Sequence, residues 1–298
     1  MAMNTLDKYP HARPKGWIEW APRADTRRVL TQVQAILTQY REHLPLTVRQ
    51  VFYRLVALHG FEKTEKGYSR LCEYMQKARR AGIVPFGYIR DDGWQQGAVS
   101  AYEGPQDFWQ TVTAAAERYR RDKQARQPQR LAVLVEAAGM RPQIERVANV
   151  YSVPVYSSGG FDSLTAKKTL ADGASEEARP CVFLHIGDLD PSGVCIFDAI
   201  AADVQAFCES AFTPRFERVA ITPEQVAYYS LPTAPPKVTD RRGAGMAETC
   251  QAEALPPDEL ARIVRAAIEA NTDLTLFAED CEQEPQERAE LLETISRL

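Results

Sequence analysis

Leu184-His185-Ile186-Gly187-Asp188-Leu189-Asp190-Pro191-Ser192-Gly193 is the stretch that decides the fold of this chain. It closes a run from Cys181 to Ile186 that shows no apolar–polar alternation. Such a run suits a strand covered on both faces within a parallel sheet. Pro191, Ser192 and Gly193 then break the strand and start a helix. In extended chain, residues i and i+2 point to the same side. Asp188 and Asp190 are therefore expected to aim together, just past the carboxyl end of a strand, where open α/β sheets place their ligands. Paired hard oxygens with an open edge suit Mg²⁺, which takes a few carboxylates and keeps waters for a phosphate. The same two residues also fit a plain turn in which one of them caps the next helix.

A second apolar run, Leu131 to Val135, ends in Glu136. Ala137, Ala138, Gly139 and Met140 follow, and a helical pattern begins soon after. One strand thus ends in a Glu and a later one in Asp-x-Asp, with a βα unit between. This order, closed by Pro191-Ser192-Gly193, resembles the Toprim domain, the metal-dependent fold shared by topoisomerases, primases and several nucleases. The resemblance covers residues 130–225.

The 298 residues are enough for two domains with a sizeable core. No apolar run is long enough to span a membrane, and no signal-peptide pattern is visible, so a cytoplasmic protein without membrane contact is expected. Cys72, Cys181, Cys195, Cys208, Cys250 and Cys281 show no Cys-x-x-Cys spacing and read as reduced core residues rather than disulfides or zinc ligands. The net charge of −4 conceals an asymmetry. Residues 1–130 carry 22 Lys/Arg and 13 Asp/Glu, a net of +9, and residues 131–298 carry 14 and 27, a net of −13. A basic half joined to an acidic half suggests that the first half lies against a polyanion.

Residues 1–24 form a Pro-rich arm with Trp17 and Trp20. Asp25 is a plausible N-cap, after which Val29, Leu30, Val33, Ile36, Leu37 and Tyr40 follow helical spacing. Pro45 separates this helix from a second, residues 48–58, with Thr47 as its cap. At about 100° per residue, Val48, Val51, Phe52, Leu55 and Val56 form one apolar arc. Tyr53 falls outside the arc, on the polar side with Arg49 and Gln50. An exposed phenol beside a guanidinium is a reasonable nucleophile, and it is equally a surface Tyr stacked on its own Arg. A third helix, residues 69–81, buries Leu71, Tyr74, Met75 and Ala78 and turns Arg70, Lys77, Arg79 and Arg80 outward. Residues 83–90 read as a strand, with Asp91-Asp92-Gly93 as a turn. Three helices and a β-wing make a winged helix-turn-helix whose basic third helix would read double-stranded DNA.

Val48-Arg49-Gln50-Val51-Phe52-Tyr53 resembles the active-site motif of the topoisomerase VI A subunit and the related meiotic double-strand-break protein. In that family a winged-helix domain bearing the catalytic tyrosine precedes a Toprim domain. The motif is Arg-x-x-aromatic-Tyr, so Arg49 and Tyr53 match its Arg and its nucleophile. Gly159-Gly160-Phe161-Asp162 and, more weakly, Ala252-Glu253-Ala254-Leu255 match as well. The expected fold is α/β: an N-terminal arm (1–24), a winged helix-turn-helix domain (25–105), a linker helix (106–130), and a Toprim domain with a C-terminal extension (131–298). Arg118, Arg120, Arg121, Lys123, Arg126 and Arg130 spread around the linker and read as solvated, or as tracking a phosphate backbone. Lys237, Asp240, Arg241 and Arg242, with Gly243 and Gly245, read as a loop near DNA. Residues 257–270 form an amphipathic helix, and residues 285–297 a last, acidic and peripheral one. Asp198 and Asp203 read as ordinary helix acids.

The resemblance implies Mg²⁺-dependent transesterification. Tyr53 would attack a DNA phosphodiester, leaving a 5′-phosphotyrosyl link. Glu136, Asp188 and Asp190 would hold Mg²⁺, with Glu136 alternatively the general acid, and Arg49 would orient the phosphate or phenolate. It also implies a homodimer. Nothing in the sequence resembles a nucleotide site, so strand passage would need a separate ATPase partner. Two alternatives stand beside it: a Toprim nuclease that uses water, similar to the nuclease subunit of bacterial anti-plasmid condensin systems, and a non-catalytic DNA-binding scaffold.

Overall fold

The computed structural model describes residues 18–90, 101–157, 164–236 and 248–297. Trp17, the turn Asp91-Asp92-Gly93, the match Gly159-Gly160-Phe161-Asp162 and the loop carrying Lys237, Asp240, Arg241, Arg242, Gly243 and Gly245 lie outside the described residues. The protein is mixed α/β and divides into two compact units, Met1–Arg90 and Asp91–Leu298. The division falls at Arg90, so the segment expected to link two domains lies within the second unit.

The first unit holds α1 (Ala24–Gln39), β1 (Leu46–Thr47), α2 (Val48–His59), α3 (Glu65–Arg80) and β2 (Ile89–Arg90). The first helix buries Leu30, Val33, Ile36 and Leu37, as its spacing requires, and its N-cap is Arg23, with Asp25 one turn in. Thr47 and Gln50 close a reciprocal capping box on α2, and Gly60, with φ 64°, ends it in the left-handed region that favours glycine. Of the strand expected over 83–90, only Ile89 and Arg90 are extended. They pair in parallel with Leu46 and Thr47. Pro85 has no N–H to offer a ladder, and a 3₁₀ turn, Phe86–Tyr88, takes the place of the rest.

The single apolar arc expected for α2 is corrected. Gln50, Val51, Phe52, Tyr53, Arg54 and Leu55 are all buried. Six consecutive buried residues exceed one turn of 3.6, so the helix is covered on every side. The helices α1 and α3 and the strand β1 all pack against it. Tyr53 is therefore in the interior of the unit, not on its polar surface.

The second unit is built on four parallel strands in the order β4-β3-β5-β6: β3 (Arg130–Val135), β4 (Val155–Ser157), β5 (Cys181–Ile186) and β6 (Arg215–Ala220). All six residues of β5 are buried, as the run without alternation requires. Ala132, Leu134, Cys181 and Phe183 meet Leu170, Ala171 and Ala174 of α6 (Leu164–Glu176) and Ile200 and Val204 of α7 (Pro191–Phe207) in one apolar layer. By the two-residue period of a strand, Val133, Val135, Leu184 and Ile186 face the other side. There α5 (Arg141–Ala148) and α9 (Pro257–Ala270) pack together. A short helix, α8 (Pro223–Tyr228), opens on the capping box of Thr222 and Gln225.

The expected linker is also corrected. Helix α4 covers only Pro105–Glu117, and of the basic residues after it Arg118 and Arg120 are exposed, as expected, whereas Arg121, Lys123 and Arg126 are already paired. These three pair with the last helix, α10, which spans Leu274–Ser296 and runs through Pro285. Arg121 Nε and Arg126 Nε donate to Asp280 Oδ1 at 2.7 and 3.0 Å. Arg121 also meets Glu287, Lys123 meets Glu284, and Arg126 meets Glu279. Tyr119 Oη donates to Glu287 at 2.7 Å. Helix α10 is thus fastened to this segment through residues 279–288, while residues 285–297 are exposed or half-buried, as a peripheral acidic helix requires. Among the described residues no helix is long and apolar enough to cross a membrane.

Asp280, fully buried between two arginines, is the centre of this seam. Asp280→Ala is expected to destabilise the second unit by about 2 kcal/mol, because the guanidiniums keep only Glu287 and Glu279. Urea unfolding followed by circular dichroism measures it, and an unchanged midpoint would contradict this account.

Candidate functional site

The chain leaves β3 to the left, for β4, and returns to the right of it, for β5. The strand order therefore reverses between β3 and β5, and the carboxyl ends of these strands form the switch point that is the common ligand position of doubly wound sheets. Val135 is in register with Ile186, so the residues that follow them are neighbours. Glu136 N donates to Ile186 O at 2.9 Å, and Asp188 N donates to Glu136 Oε2 at 3.2 Å. Asp188 Oδ1 accepts from Ala252 N at 2.8 Å, which attaches the 252–254 turn to the site. Asp190 Oδ1 accepts from Gly193 N at 2.6 Å and caps α7. One acid of the Asp-x-Asp, Asp190, thus caps the helix, and both acids lie near Glu136.

Two glycines of the motif are demanded by close approach. A Cβ on Gly187 would stand 2.5 Å from His185 Cε1 and 2.6 Å from Glu136 Oε2. A Cβ on Gly193 would collide with the carbonyl oxygen of Asp188. The loop can lie this low on the sheet only because both positions lack a side chain.

Arg218, on β6, holds the loop from below. Its guanidinium donates to the carbonyls of Gly187 at 3.2 Å, of Gly193 at 3.4 Å and of Ile221 at 3.1 Å, and to that of Asp188. It is also the cation that faces Glu136, Asp188, Asp190 and Asp198. Burial and the neighbouring Asp188 push the Glu136 carboxyl up to about 6, and the Asp188 N–H and Arg218 offset only part of this. Beside Arg218 in the strand register is His185, fully buried, with Phe197 of α7 against its ring at 5.0 Å. Neither ring nitrogen has a hydrogen-bond partner among the described residues. Burial, with Arg218 alongside, drives its pKa down to about 3, so it is neutral.

Among the described residues no three carboxylate, imidazole or thiolate side chains stand close enough to close around an ion. The donors do fit a hard divalent cation: Glu136, Asp188 and Asp190 are all oxygen ligands, and like charge is crowded enough to raise Glu136. Arg218 and His185 were not picked out as site residues by the sequence motifs, whereas Ala252 opens the weakly matching stretch Ala252-Glu253-Ala254-Leu255. Phe216 and Arg218 share one strand face, so a charge follows an aromatic on a core-facing register. That signal was available in Arg215–Ala220.

The remaining candidates lie in the first unit. Tyr53 is 6% exposed, with Phe52 at 5.5 Å and Lys63 Nζ at 5.9 Å from its ring. Arg49 stacks over Tyr68, at 5.2 Å. Burial and Cys72 push the Tyr68 phenol up, against the pull of Arg49. On α3, Arg70 pairs with Glu62 at 2.6 Å and Lys77 with Glu73 at 2.6 Å, while Arg79 lies over Phe86 at 4.8 Å. Arg80 is half-buried, and its carbonyl accepts from Ile18 N at 3.1 Å. The Arg70 and Lys77 pairs are surface pairs of about 0–1 kcal/mol, so a phosphate can replace either acid. The positive excess belongs wholly to this unit, because residues 91–130 carry six Lys/Arg and six Asp/Glu. A scan of the chain against known protein families finds no matching model, and a search of curated proteins finds no match.

The buried imidazole makes stability depend on pH. Below about 6.5 the unfolded chain takes up a proton at His185 that the folded chain refuses until about 3. Stability from this group is full above pH 6.5 and is lost as pH falls through that window. Glu136 runs the other way, losing stability as pH rises from 4.5 through about 6. In His185→Phe the wild-type-minus-variant stability is expected to stay constant above pH 7 and to fall steadily between pH 6.5 and 4, measured by thermal unfolding.

Proposed function

We propose that this protein cleaves double-stranded DNA in a Mg²⁺-dependent reaction at the carboxyl ends of β3 and β5. The observation that carries the reading is the meeting of Glu136, Asp188 and Asp190 at the point where the strand order reverses. A parallel sheet in the order β4-β3-β5-β6, with acids after its first and third strands in the chain, supports a Toprim domain. Three helices with the β1–β2 pairing support a winged helix-turn-helix in the first unit, and its net charge of +9 supports DNA as the partner. Arg70, Lys77, Arg79 and Arg80 are its proposed DNA contacts.

Glu136, Asp188 and Asp190 would hold Mg²⁺. Bound there, Mg²⁺ neutralises the phosphate and stabilises the leaving 3′-oxygen. Arg218 keeps the Asp-x-Asp loop in place through its carbonyl contacts. In the topoisomerase VI A-like reading, Tyr53 Oη forms the bond to phosphorus as the P–O3′ bond breaks, and the phenolic proton ends on the 3′-oxygen. Arg49 steadies the phosphate, two copies of the chain cut the two strands, and a separate ATPase partner would be needed for strand passage. The burial of Tyr53 favours a second reading, in which water attacks at the same acids and Tyr53 is a core residue.

Denaturing electrophoresis of end-labelled DNA after incubation with protein and Mg²⁺ tests the proposal. Cutting is expected in the wild type and is expected to fall about a hundredfold or more in Glu136→Gln and Asp188→Asn. Label that migrates with the protein and vanishes in Tyr53→Phe assigns the tyrosine. Cutting that leaves no attached protein and persists in Tyr53→Phe assigns water. DNA binding without any cutting would overturn the enzymatic reading in favour of a scaffold.

A further inference from the structure

On β5, Cys181, Phe183 and His185 face the same side of the sheet, and the first two belong to the apolar layer under α6 and α7. An apolar residue would fit the third position as well. Burying an imidazole there without partners lowers stability. That cost falls on one of the most enclosed polar side chains of the second unit, at 0% exposure, one turn of strand below the acids.

The imidazole is not isolated from those acids. His185 Cε1 and Glu136 Oε2 both approach the bare α-carbon notch of Gly187, at 2.5 and 2.6 Å from one point, so they are about 5 Å apart or less. Phe197 backs the ring on the helix side, and Arg218 is its neighbour on β6, so the ring is packed from two directions. A neutral imidazole carries one N–H donor and one lone pair. Of the two groups beside the notch, Arg218 already donates to four carbonyls, while Glu136 is an acceptor with one recorded N–H donor on Oε2.

We propose that His185 is a positioning residue for Glu136, steering its carboxylate toward a divalent cation shared with Asp188. This rests on the cation reading of the acids given above. An imidazole N–H donated to Glu136 on cation binding, a bond that neither ring nitrogen makes in this structure, would fix the carboxylate orientation that the cation needs, and the glycine at 187 keeps the path between them clear. Partners of this kind behind a metal ligand commonly change cation affinity by about 10–100-fold when removed.

The test is binding of Mn²⁺ alone to the full-length protein, read as loss of the free-ion electron paramagnetic resonance signal, beside the unfolding temperature without metal. His185→Phe keeps an aromatic ring against Phe197. It is expected to weaken Mn²⁺ binding tenfold or more while leaving the metal-free unfolding temperature equal or higher at pH 7.5. His185→Gln, which restores an N–H donor, is expected to recover part of the affinity, which a purely packing role would not produce. Wild-type affinity in His185→Phe, with binding lost in Glu136→Gln, would overturn the role of His185 and leave the cation reading standing. If the wild type binds no Mn²⁺, both fall. Should His185→Phe fail to fold, His185→Leu supplies the same comparison, with the same outcomes deciding it.

Discussion

Everything at the candidate site depends on the parallel pairing of β3 with β5. Six residue pairs, from Arg130 with Cys181 to Val135 with Ile186, fix the two strand ends at the same height. The next residue on one strand is Glu136, and the next but one on the other is Asp188, so two carboxylates separated by 52 positions become neighbours. A shift of the register by one residue would turn one of them to the opposite face. The glycines at 187 and 193 let the connecting loop lie against the sheet, and Arg218 fastens it there. Burial and the resulting crowd of negative charge raise Glu136, and among the described residues Arg218 offsets part of this.

Charge is distributed by a separate logic in the rest of the molecule. Counted along the chain, Lys and Arg residues continue to Arg130. Folding shows which of them are already paired. Arg121, Lys123 and Arg126 are held by Asp280, Glu284, Glu287 and Glu279 of α10, so this basic segment is neutralised within its own unit. The excess that remains open to a polyanion is that of the first ninety residues. On α3, Arg70 and Lys77 are balanced by surface pairs that a phosphate can displace.

The polar residues beneath the site run against packing preference. His185 and Arg218 sit side by side on adjacent strands, directly above the stacked rings of Phe183 and Phe216 at 4.8 Å. An apolar pair there would continue the core. Buried polar groups that lower stability are often retained where a site needs them, and a cation bound to the folded state would offset part of the cost.

Much of the second unit was legible in the sequence. A short apolar run without alternation suits a strand buried inside a sheet, so β3 and β5 were legible, and the acids at their ends marked the candidate site. Thr47 and Thr222 announced two helix starts, because a threonine followed three residues later by glutamine supplies both halves of a capping box. Tyr53 was not legible. A helical wheel shows which residues are apolar, not how many neighbours surround the helix, and α2 is enclosed by α1, α3 and β1. Nor was the fate of the basic residues after α4, whose partners lie more than 150 positions away on α10. Local pattern by itself determined the strands, the caps and the acids, because those follow from period and side-chain chemistry. Only the tertiary structure decided which face of a helix is covered, which charges are already paired, and that His185 and Arg218 lie under the acids, because each depends on contacts between residues far apart in the chain.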